Sequence, residues 1–336
     1  ASGGRASGAG CGPQAGKRAV SSPAVAQSNL RRAGFELLRA SEALAELGRS
    51  LAPAEAGTFL AVEDALSDWR TPRTAADLGT RFPALLRAAQ ARLGSTLERS
   101  AFNRALVAGL ASRLRFRLDG LVLPTDVKRR IPPALDRLRS FLSEEQPGYG
   151  LGDDHFLRDV RFAAGWTVPC GSEVIDLRTR VSLPASALIA LKARAPRLAM
   201  RTLMPGEPVA WFSPHTDSRY LDEFDEAGWE RTYLNVASLL RGHPDIAGIA
   251  AYSWFFDPQL EEISPRLSYL RQRPLEGGAL LIRGHTSEFD IENATAKSAT
   301  RRRLYEAGEY VPVAHRMVWL RADVLRWAEI TQRAAG

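Results

Sequence analysis

Apolar residues change their spacing at one point in this 336-residue chain, and that change limits which folds it can adopt. Between residues 30 and 142 they recur every three or four positions, as Leu106, Leu110 and Leu114 do, which indicates amphipathic helices. After the glycine-rich joint at residues 147–152, short β-type runs alternate with helical segments. The pattern predicts an α/β fold of the α+β kind, with a helical N-terminal domain followed by a domain built on a mixed sheet.

Composition divides the chain into three parts. Residues 1–27 are rich in Gly, Ala and Ser and are predicted to form a disordered tail. Residues 28–147 are predicted to form a basic helical domain, and residues 153–336 an α/β domain that carries any chemistry. Strands are predicted at residues 166–168, 174–177, 209–212, 246–256, 279–282 and 311–320.

Neither a secretory signal nor a membrane span is expected. The start of the chain lacks a continuous apolar core, and no stretch of about 18 apolar residues occurs. The two cysteines, Cys11 and Cys170, are poorly placed to staple a fold. These features predict a cytoplasmic protein.

Charge is distributed unevenly between the two halves. Residues 1–150 hold 22 Lys and Arg against 14 Asp and Glu, a net +8, whereas residues 151–336 hold 23 against 24, a net −1. A basic face can attract nucleic acid, an anionic membrane surface or an acidic protein. A solvated helix surface explains the charge equally well, because neither aromatic stacking residues nor a base-reading motif accompanies it.

A first candidate site is the pair His215 and Asp217. Two residues apart on an extended segment, they point to one side and resemble two of the three ligands of a non-haem Fe(II) site. His285 or His315 would be the third ligand. In the alternative interpretation, Asp217 caps a helix that starts near residue 219.

A second candidate lies in residues 252–258. Tyr252 and Trp254, followed by Asp257, are typical of one wall of a substrate pocket. A core strand that ends at a helix cap explains these residues as well. Further along, a cation cluster could neutralise a phosphate beside a helix start, and its members are Arg266, Arg271 and Arg273.

The C-terminal third contains a helix that is predicted to begin at Asp290 and to stop at Gly308, followed by a strand. This part of the chain resembles the closing helix and strand of the GNAT acyltransferase superfamily, and the matching residues are Leu304, Tyr305, Glu306, Gly308 and Tyr310, followed by the strand at residues 316–320. The resemblance implies a CoA thioester cofactor and assigns Tyr305 the protonation of the departing thiolate. Gly277 and Gly278 lie near the family's pyrophosphate motif, one residue out of register.

Three functions follow from these patterns. The first is acyl transfer from a CoA or carrier-protein thioester to an amine or hydroxyl, with Tyr305 as acid and His215 or Asp217 as base or substrate contact. The basic helical domain would then dock an acidic carrier protein. The second is an Fe(II) oxygenase, and the third is a non-enzymatic module that binds nucleic acid or an acidic protein. A central sheet with splayed strands would favour the acyltransferase, and a barrel of paired strands would favour the Fe(II) oxygenase.

Overall fold

The computed structural model describes residues 23–51, 75–93, 95–204, 209–219 and 221–334. Most of the predicted disordered tail lies outside these residues, and the first helix begins at Pro23. Within the described part of the chain, no helix is both long enough and apolar enough to cross a membrane.

The described part of the N-terminal half is helical, as the spacing of its apolar residues predicts. Helix α3 is central: Ser95 and Glu98 form a capping box at its start, and α1 packs against it. Buried residues occupy almost every position from Phe102 to Ala111, so α3 is enclosed on most sides. The helices are α1 (Pro23–Leu51), α2 (Ala75–Ala89), α3 (Thr96–Ser112), α4 (Leu114–Leu118), α5 (Thr125–Ser143) and α6 (Asp154–Ala163).

The second half is built on one mixed sheet, which confirms the predicted α+β class. Each predicted run contains a strand, and the order across the sheet is β1-β2-β3-β4-β6-β5. Only β3 and β4 pair in parallel among these strands. The strands are β1 (Thr167–Pro169), β2 (Val174–Arg180), β3 (Ala210–His215), β4 (Ile246–Ser253), β5 (Leu280–Arg283) and β6 (His315–Leu320).

Helices cover both faces of this sheet. Trp211 and Ala250 face one side, where α7 and α8 pack, and Phe212 and Ile249 face the other, where α9 and α14 pack. Alternate residues therefore point to opposite layers, as the pleat requires. The helices are α7 (Ala185–Arg194), α8 (Pro196–Leu203), α9 (Glu226–Gly242), α10 (Leu260–Ile263), α11 (Tyr269–Glu276), α12 (Glu288–Ala296), α13 (Ala299–Glu306) and α14 (Arg321–Ala334).

The backbone pairing of the parallel strands β3 and β4 covers only part of their length. Their backbone partners run from Ala210↔Ile246 to Phe212↔Ile249, and the register already shifts between these two pairs. Beyond Phe212 and Ile249, the described residues of these two strands form no further backbone pairs with each other. Among the described residues, the edge strands β1 and β5 do not pair with each other, so the sheet is not closed into a barrel.

Two predicted helix starts are wrong. Asp217 accepts a hydrogen bond from the Arg219 N–H in a tight turn, and the next helix, α9, begins later with Asp225 as its N-cap. Asp290 occupies the third position of α12 rather than its cap, because Ser287 caps that helix. The predicted stop at Gly308 is confirmed, with φ of 71° in the left-handed region.

One hydrophobic core spans the joint at residues 147–152. The same buried cluster includes Leu110 of α3, Phe156 of α6 and Trp319 of β6. Tyr149 packs edge-on against Phe156 with ring centroids 5.1 Å apart. The joint is therefore fastened to the core on both sides.

Candidate active site

A cavity of about 90 Å³ lies between the helical half and the carboxyl end of β3. Helices α5 and α6 form one wall, and the turn from β1 to β2 forms another. Because β2 pairs with β3 through Val174↔His215, this turn lies beside the residues that follow β3. The main lining side chains are Leu138, Arg158, Asp159, Phe162, Thr167, Glu173, Asp217 and Arg219.

Glu173 is a strongly perturbed carboxyl group in this cavity. Its side chain is 2% exposed, and both carboxyl oxygens accept from the Thr216 hydroxyl, at 2.9 and 3.0 Å. Burial raises the pKa of Glu173 to about 8 because a buried carboxylate loses its hydration, and the negative charge of Asp217 adds to this rise. The Thr216 hydrogen bond and Arg158 oppose it without cancelling it. Glu173 is therefore mostly a neutral acid near pH 7.

Arg219 holds the two neighbouring carboxylates in place. Its guanidinium donates to both oxygens of Asp159, at 2.6 and 2.9 Å, and to Asp217 at 2.8 Å. Burial disfavours the charge on Arg219, but these hydrogen bonds outweigh it and raise the pKa of Arg219. Tyr149 also donates to Asp159, at 2.8 Å. Burial raises the pKa of Asp159 although the hydrogen bonds from Arg219 and Tyr149 oppose that rise, whereas the bonds from Arg219 lower the pKa of Asp217 despite its burial. The result is a fixed, hydrogen-bonded cluster of Arg219, Asp159 and Asp217 beside the neutral Glu173.

Two more groups define what the cavity can bind. Thr167 is 4% exposed and lines the cavity, and its hydroxyl has no hydrogen-bond partner in the described structure. Arg158 donates to the Thr216 carbonyl and to Asp154 at 2.7 Å. A buried hydroxyl without a partner costs free energy, so Thr167 is available to a polar ligand atom.

His215 and Asp217, which the sequence pairs, have separate partners. His215 Nε2 lies 2.9 Å from Asp176, whereas Asp217 is bound to Arg219 and lines the cavity. Burial alone would raise the pKa of Asp176, but His215 and Arg161 hold it below its usual value. The pair is therefore divided between two neighbouring charge clusters.

The four residues of the Fe(II) alternative do not gather into one site. Within the described ranges, no three His, Cys, Asp or Glu side chains are placed to share a metal ion. His315 pairs with Ser253 of β4, so β4 lies between it and His215, and adjacent strands are about 4.8 Å apart. His285 follows β5, which is one strand further away.

The aromatic segment after β4 has mainly structural contacts. Tyr252 donates to the His285 carbonyl and lies under the guanidinium of Arg316. Trp254 is buried. Asp257 is fully buried and accepts from the Val313 N–H at 2.8 Å. None of the predicted substrate-binding residues Tyr252, Trp254 and Asp257 lines the Glu173 cavity.

The predicted phosphate-binding residues fall into different places. Arg271 is paired with Glu261 at 2.6 Å, and Arg266 lies near Arg301. Arg273, Gly277 and Gly278 line a separate cavity of about 700 Å³ beside α14, which shares no lining residue with the Glu173 cavity.

In that second cavity, cations are already matched by carboxylates. Arg273 pairs with Glu226 and Glu276, and Arg194 pairs with Asp323. Gly277 fits closely, because a Cβ there would lie 2.0 Å from the Trp319 ring. Arg273, Gly277 and Gly278 therefore line one wide cavity, and the positive and negative charges of its side chains balance.

Tyr305 is on α13 and is 37% exposed. Its neighbour Leu304 packs onto the cluster around Trp254, just after the carboxyl end of β4. Lys297, at the junction of α12 and α13, donates to the Ser218 carbonyl at 3.1 Å. These contacts place α13 at the same edge of the sheet as the loop after β3.

The N-terminus of α9, which follows the parallel strand β3, does not suit a pyrophosphate. Asp225 already caps it, with the Gly228 N–H donating at 2.6 Å, and Glu226 lies in its first turn. Asp222 and Glu223 precede the cap. These carboxylates occupy and repel the position where a helix dipole would otherwise attract an anion.

The sequence patterns did not single out Glu173, Asp159 or Arg219. Each is an ordinary charged residue in its local context, and each has an important partner far along the chain: Thr216 is 43 positions from Glu173, and Asp159 and Arg219 are 60 positions apart. One weak local signal exists, since Glu173 lies between a Gly-Ser turn and an apolar strand.

Comparison with known proteins adds little. No family model matches the chain, and no curated protein matches it significantly. A solved structure of an acyltransferase mutant in complex with octanoyl-CoA is similar over 81% of this chain and 80% of its own, with 13% identity and a TM-score of 0.47. A likeness this distant carries no weight for the activity of this chain.

Proposed function

We propose that this protein is an acyltransferase that moves an acyl group from a thioester to an amine, with Glu173 as the general base. One observation carries the proposal: a buried carboxyl group whose pKa is about 8 lines a cavity beside the carboxyl end of β3. A base works best when its pKa lies close to the working pH.

The position of the cavity supports a binding role. In open sheets covered by helices, ligands bind beyond the carboxyl ends of parallel strands, where neighbouring connections leave a crevice. The Glu173 cavity lies beside the carboxyl end of β3, on the side of β2, and residues that follow β3 line it. The described strands also do not form a barrel, which is the arrangement that the sequence patterns linked to iron chemistry.

The chemistry needs one proton acceptor and one proton donor. In its carboxylate form Glu173 takes a proton from the amine nitrogen as that nitrogen attacks the thioester carbonyl carbon, so that the nitrogen ends as a neutral amide. The C–N bond forms, the C–S bond breaks, and the sulfur leaves as a thiolate. We assign the proton that the thiolate receives to the Tyr305 hydroxyl, which lies on a helix at the same edge of the sheet.

Carboxylates around the cavity favour a cationic acceptor. When Glu173 is neutral, the charged side chains that line the cavity are four carboxylates and three cations, a slight excess of negative charge that suits an ammonium group; they are Asp159, Asp217, Asp222 and Glu223 against Arg137, Arg158 and Arg219. The Thr167 hydroxyl offers the ammonium group a further acceptor. The volume of about 90 Å³ suits a small amine head rather than a bulky ring system.

The thioester donor is either CoA or a carrier protein. The acidic N-terminus of α9 does not fit a pyrophosphate, so no step of the mechanism depends on that contact. An acidic carrier protein would meet the basic helical half, where Arg113, Lys128 and Arg129 lie on or beside α3 to α5. The same basic surface would serve a nucleic-acid partner in the non-enzymatic alternative.

Release of free thiol from acyl-CoAs and from acyl-pantetheine, in the presence of primary amines, tests the proposal. We expect Glu173→Gln to lower kcat/KM by about 10² to 10⁴-fold, the range for loss of a general base. Glu309→Gln, which changes an exposed glutamate, is the matched control. The proposal is wrong if no donor gives amine-dependent thiol release and none raises the melting temperature of the protein.

A further inference from the structure

The segment from residue 178 to residue 204 contains six basic residues and no acidic residue. Arg178 pairs with Asp245, and Arg194 pairs with Asp323. The other four cations are exposed and form no ion pair with any residue that the structure describes; they are Arg180, Lys192, Arg197 and Arg201. This concentration of unpaired charge lies in the C-terminal half, which is close to neutral as a whole.

The same segment exposes large aliphatic side chains. Ile189 on α7 and Met200, Leu203 and Met204 on or just after α8 are each more than 60% exposed. On α8, Leu198 and Ala199 pack toward the sheet, so Met200 and Leu203 project away from it. Met200 and Leu203 are three positions apart and therefore lie on one helix face.

Cations flank this apolar face. Arg197 and Arg201 are four positions apart, so they are neighbours along one side of α8. An exposed aliphatic stripe bordered by arginines is typical of a helix that lies in the interface of an anionic bilayer. Contiguous exposed apolar side chains are also uncommon on a protein surface that contacts only water.

We propose that α7 and α8 form an interfacial patch that binds the surface of an anionic lipid bilayer. The patch consists of Ile189, Met200, Leu203 and Met204 with the cations Arg180, Lys192, Arg197 and Arg201. The aliphatic side chains enter the headgroup region, and the arginines contact lipid phosphates.

Charge and position favour a bilayer over a second copy of the chain. A two-fold contact would set the four unpaired cations against their own copies, which like-charge repulsion opposes. The patch covers the sheet face opposite to α9 and α14. It shares no residue with the Glu173 cavity, so binding there leaves that cavity free.

Co-sedimentation of the full chain with vesicles tests the proposal, using phosphatidylcholine alone and a three-to-one mixture with phosphatidylglycerol. We expect binding only to the mixture, weakened strongly by salt at about 0.5 M. Arg197→Gln with Arg201→Gln should lower the partition coefficient about 25-fold, since each interfacial arginine contributes about fivefold. Met200→Ser with Leu203→Ser should lower it by about tenfold or more.

Two matched variants serve as controls. Phe289→Ser removes an equally exposed apolar side chain elsewhere, and Arg302→Gln with Arg303→Gln removes two exposed cations from α13. Both should bind vesicles as the parent does, and melting curves check that all variants fold.

Three results overturn the proposal: no binding to the anionic vesicles, equal loss in the control variants, or unchanged binding in Met200→Ser with Leu203→Ser. Ultracentrifugation supplies a fourth. If the parent is a dimer that Met200→Ser with Leu203→Ser converts to a monomer, the patch belongs to a second copy. None of these outcomes depends on acyl transfer, so this proposal can fail while the proposed activity holds.

Discussion

Two regions of the molecule place their side chains unusually, and in opposite ways. The site beside the carboxyl end of β3 buries charged residues, whereas the interfacial patch on α7 and α8 exposes apolar ones. At the site, Glu173, Asp159 and Arg219 are charged residue types withdrawn from water. On the patch, Leu203 and Met200 are apolar side chains left in water. Buried polar groups and exposed apolar patches are the informative exceptions to residue placement, whereas a single exposed Leu is not. Burying a charged group costs more free energy than exposing an apolar one, so mutations in the two regions should change stability by different amounts.

The largest expected effect is the pH dependence that Glu173 gives to stability. Its pKa is about 8 in the folded protein and near 4.5 when unfolded, so between these values the folded state holds a proton that the unfolded state releases. Stability should therefore fall as pH rises from about 5 to 9, by an amount on the order of 5 kcal/mol.

Urea unfolding of the parent and of Glu173→Gln across this pH range measures the effect. Glu173→Gln keeps a neutral side chain at every pH, so its curve should lose most of this slope. Parallel curves for the two proteins would show that Glu173 is not the source. The depressed pKa values of Asp176 and Asp217 act only in more acidic solution, where those carboxylates gain protons.

The second largest effect on stability is expected at Arg219, which holds Asp159 and Asp217. Arg219→Met leaves Asp159 buried without its cation, and we expect a loss of about 3 to 5 kcal/mol in the free energy of unfolding. Arg231→Met is the matched change at an exposed pair, where Arg231 lies 3.4 Å from Glu223, and it should cost less than about 1 kcal/mol. Similar losses in the two variants would remove the contrast between buried and exposed pairs.

A smaller effect is expected at the start of α9. Asp225→Ala removes the oxygen that accepts from the Gly228 N–H, and loss of an N-cap costs about 1 kcal/mol. Asp225→Asn keeps an acceptor at that position and should lose much less. Thermal unfolding of the two variants distinguishes them, and equal melting temperatures would contradict a capping role.

The smallest effect is expected on the patch. Leu203→Ser replaces a side chain that is 67% exposed, so stability should change by no more than about 0.5 kcal/mol. A loss of 2 kcal/mol or more in urea unfolding would mean that Leu203 is packed in solution and that α8 has no exposed apolar face at this position.

The fold was predictable because local patterns encode it. Apolar spacing located the helical half, and each of the six β-type runs contains a strand. Strand ends were less predictable: β4 stops at Ser253 because its hydroxyl accepts from the Phe255 N–H and starts a tight turn. The predicted helix through Ala294 and Arg301 is two helices, since Ser298 caps a second one.

The site was less predictable because its properties depend on distant partners. Asp217 was singled out as part of a pair with His215, yet its principal contact is Arg219. Glu173 was not singled out, because its raised pKa comes from enclosure by α5, α6 and the loop after β3. Spacing along the chain cannot report enclosure of that kind.

The shared core across residues 147–152 has a practical consequence for anyone who handles this protein. A recombinant fragment that starts at residue 153 would expose Phe156 and Val160, which are fully buried in the whole chain. Such a piece would be prone to aggregate. A single protease cut in the joint would leave two pieces that stay together through the packing of Phe156 against Phe82 and Tyr149.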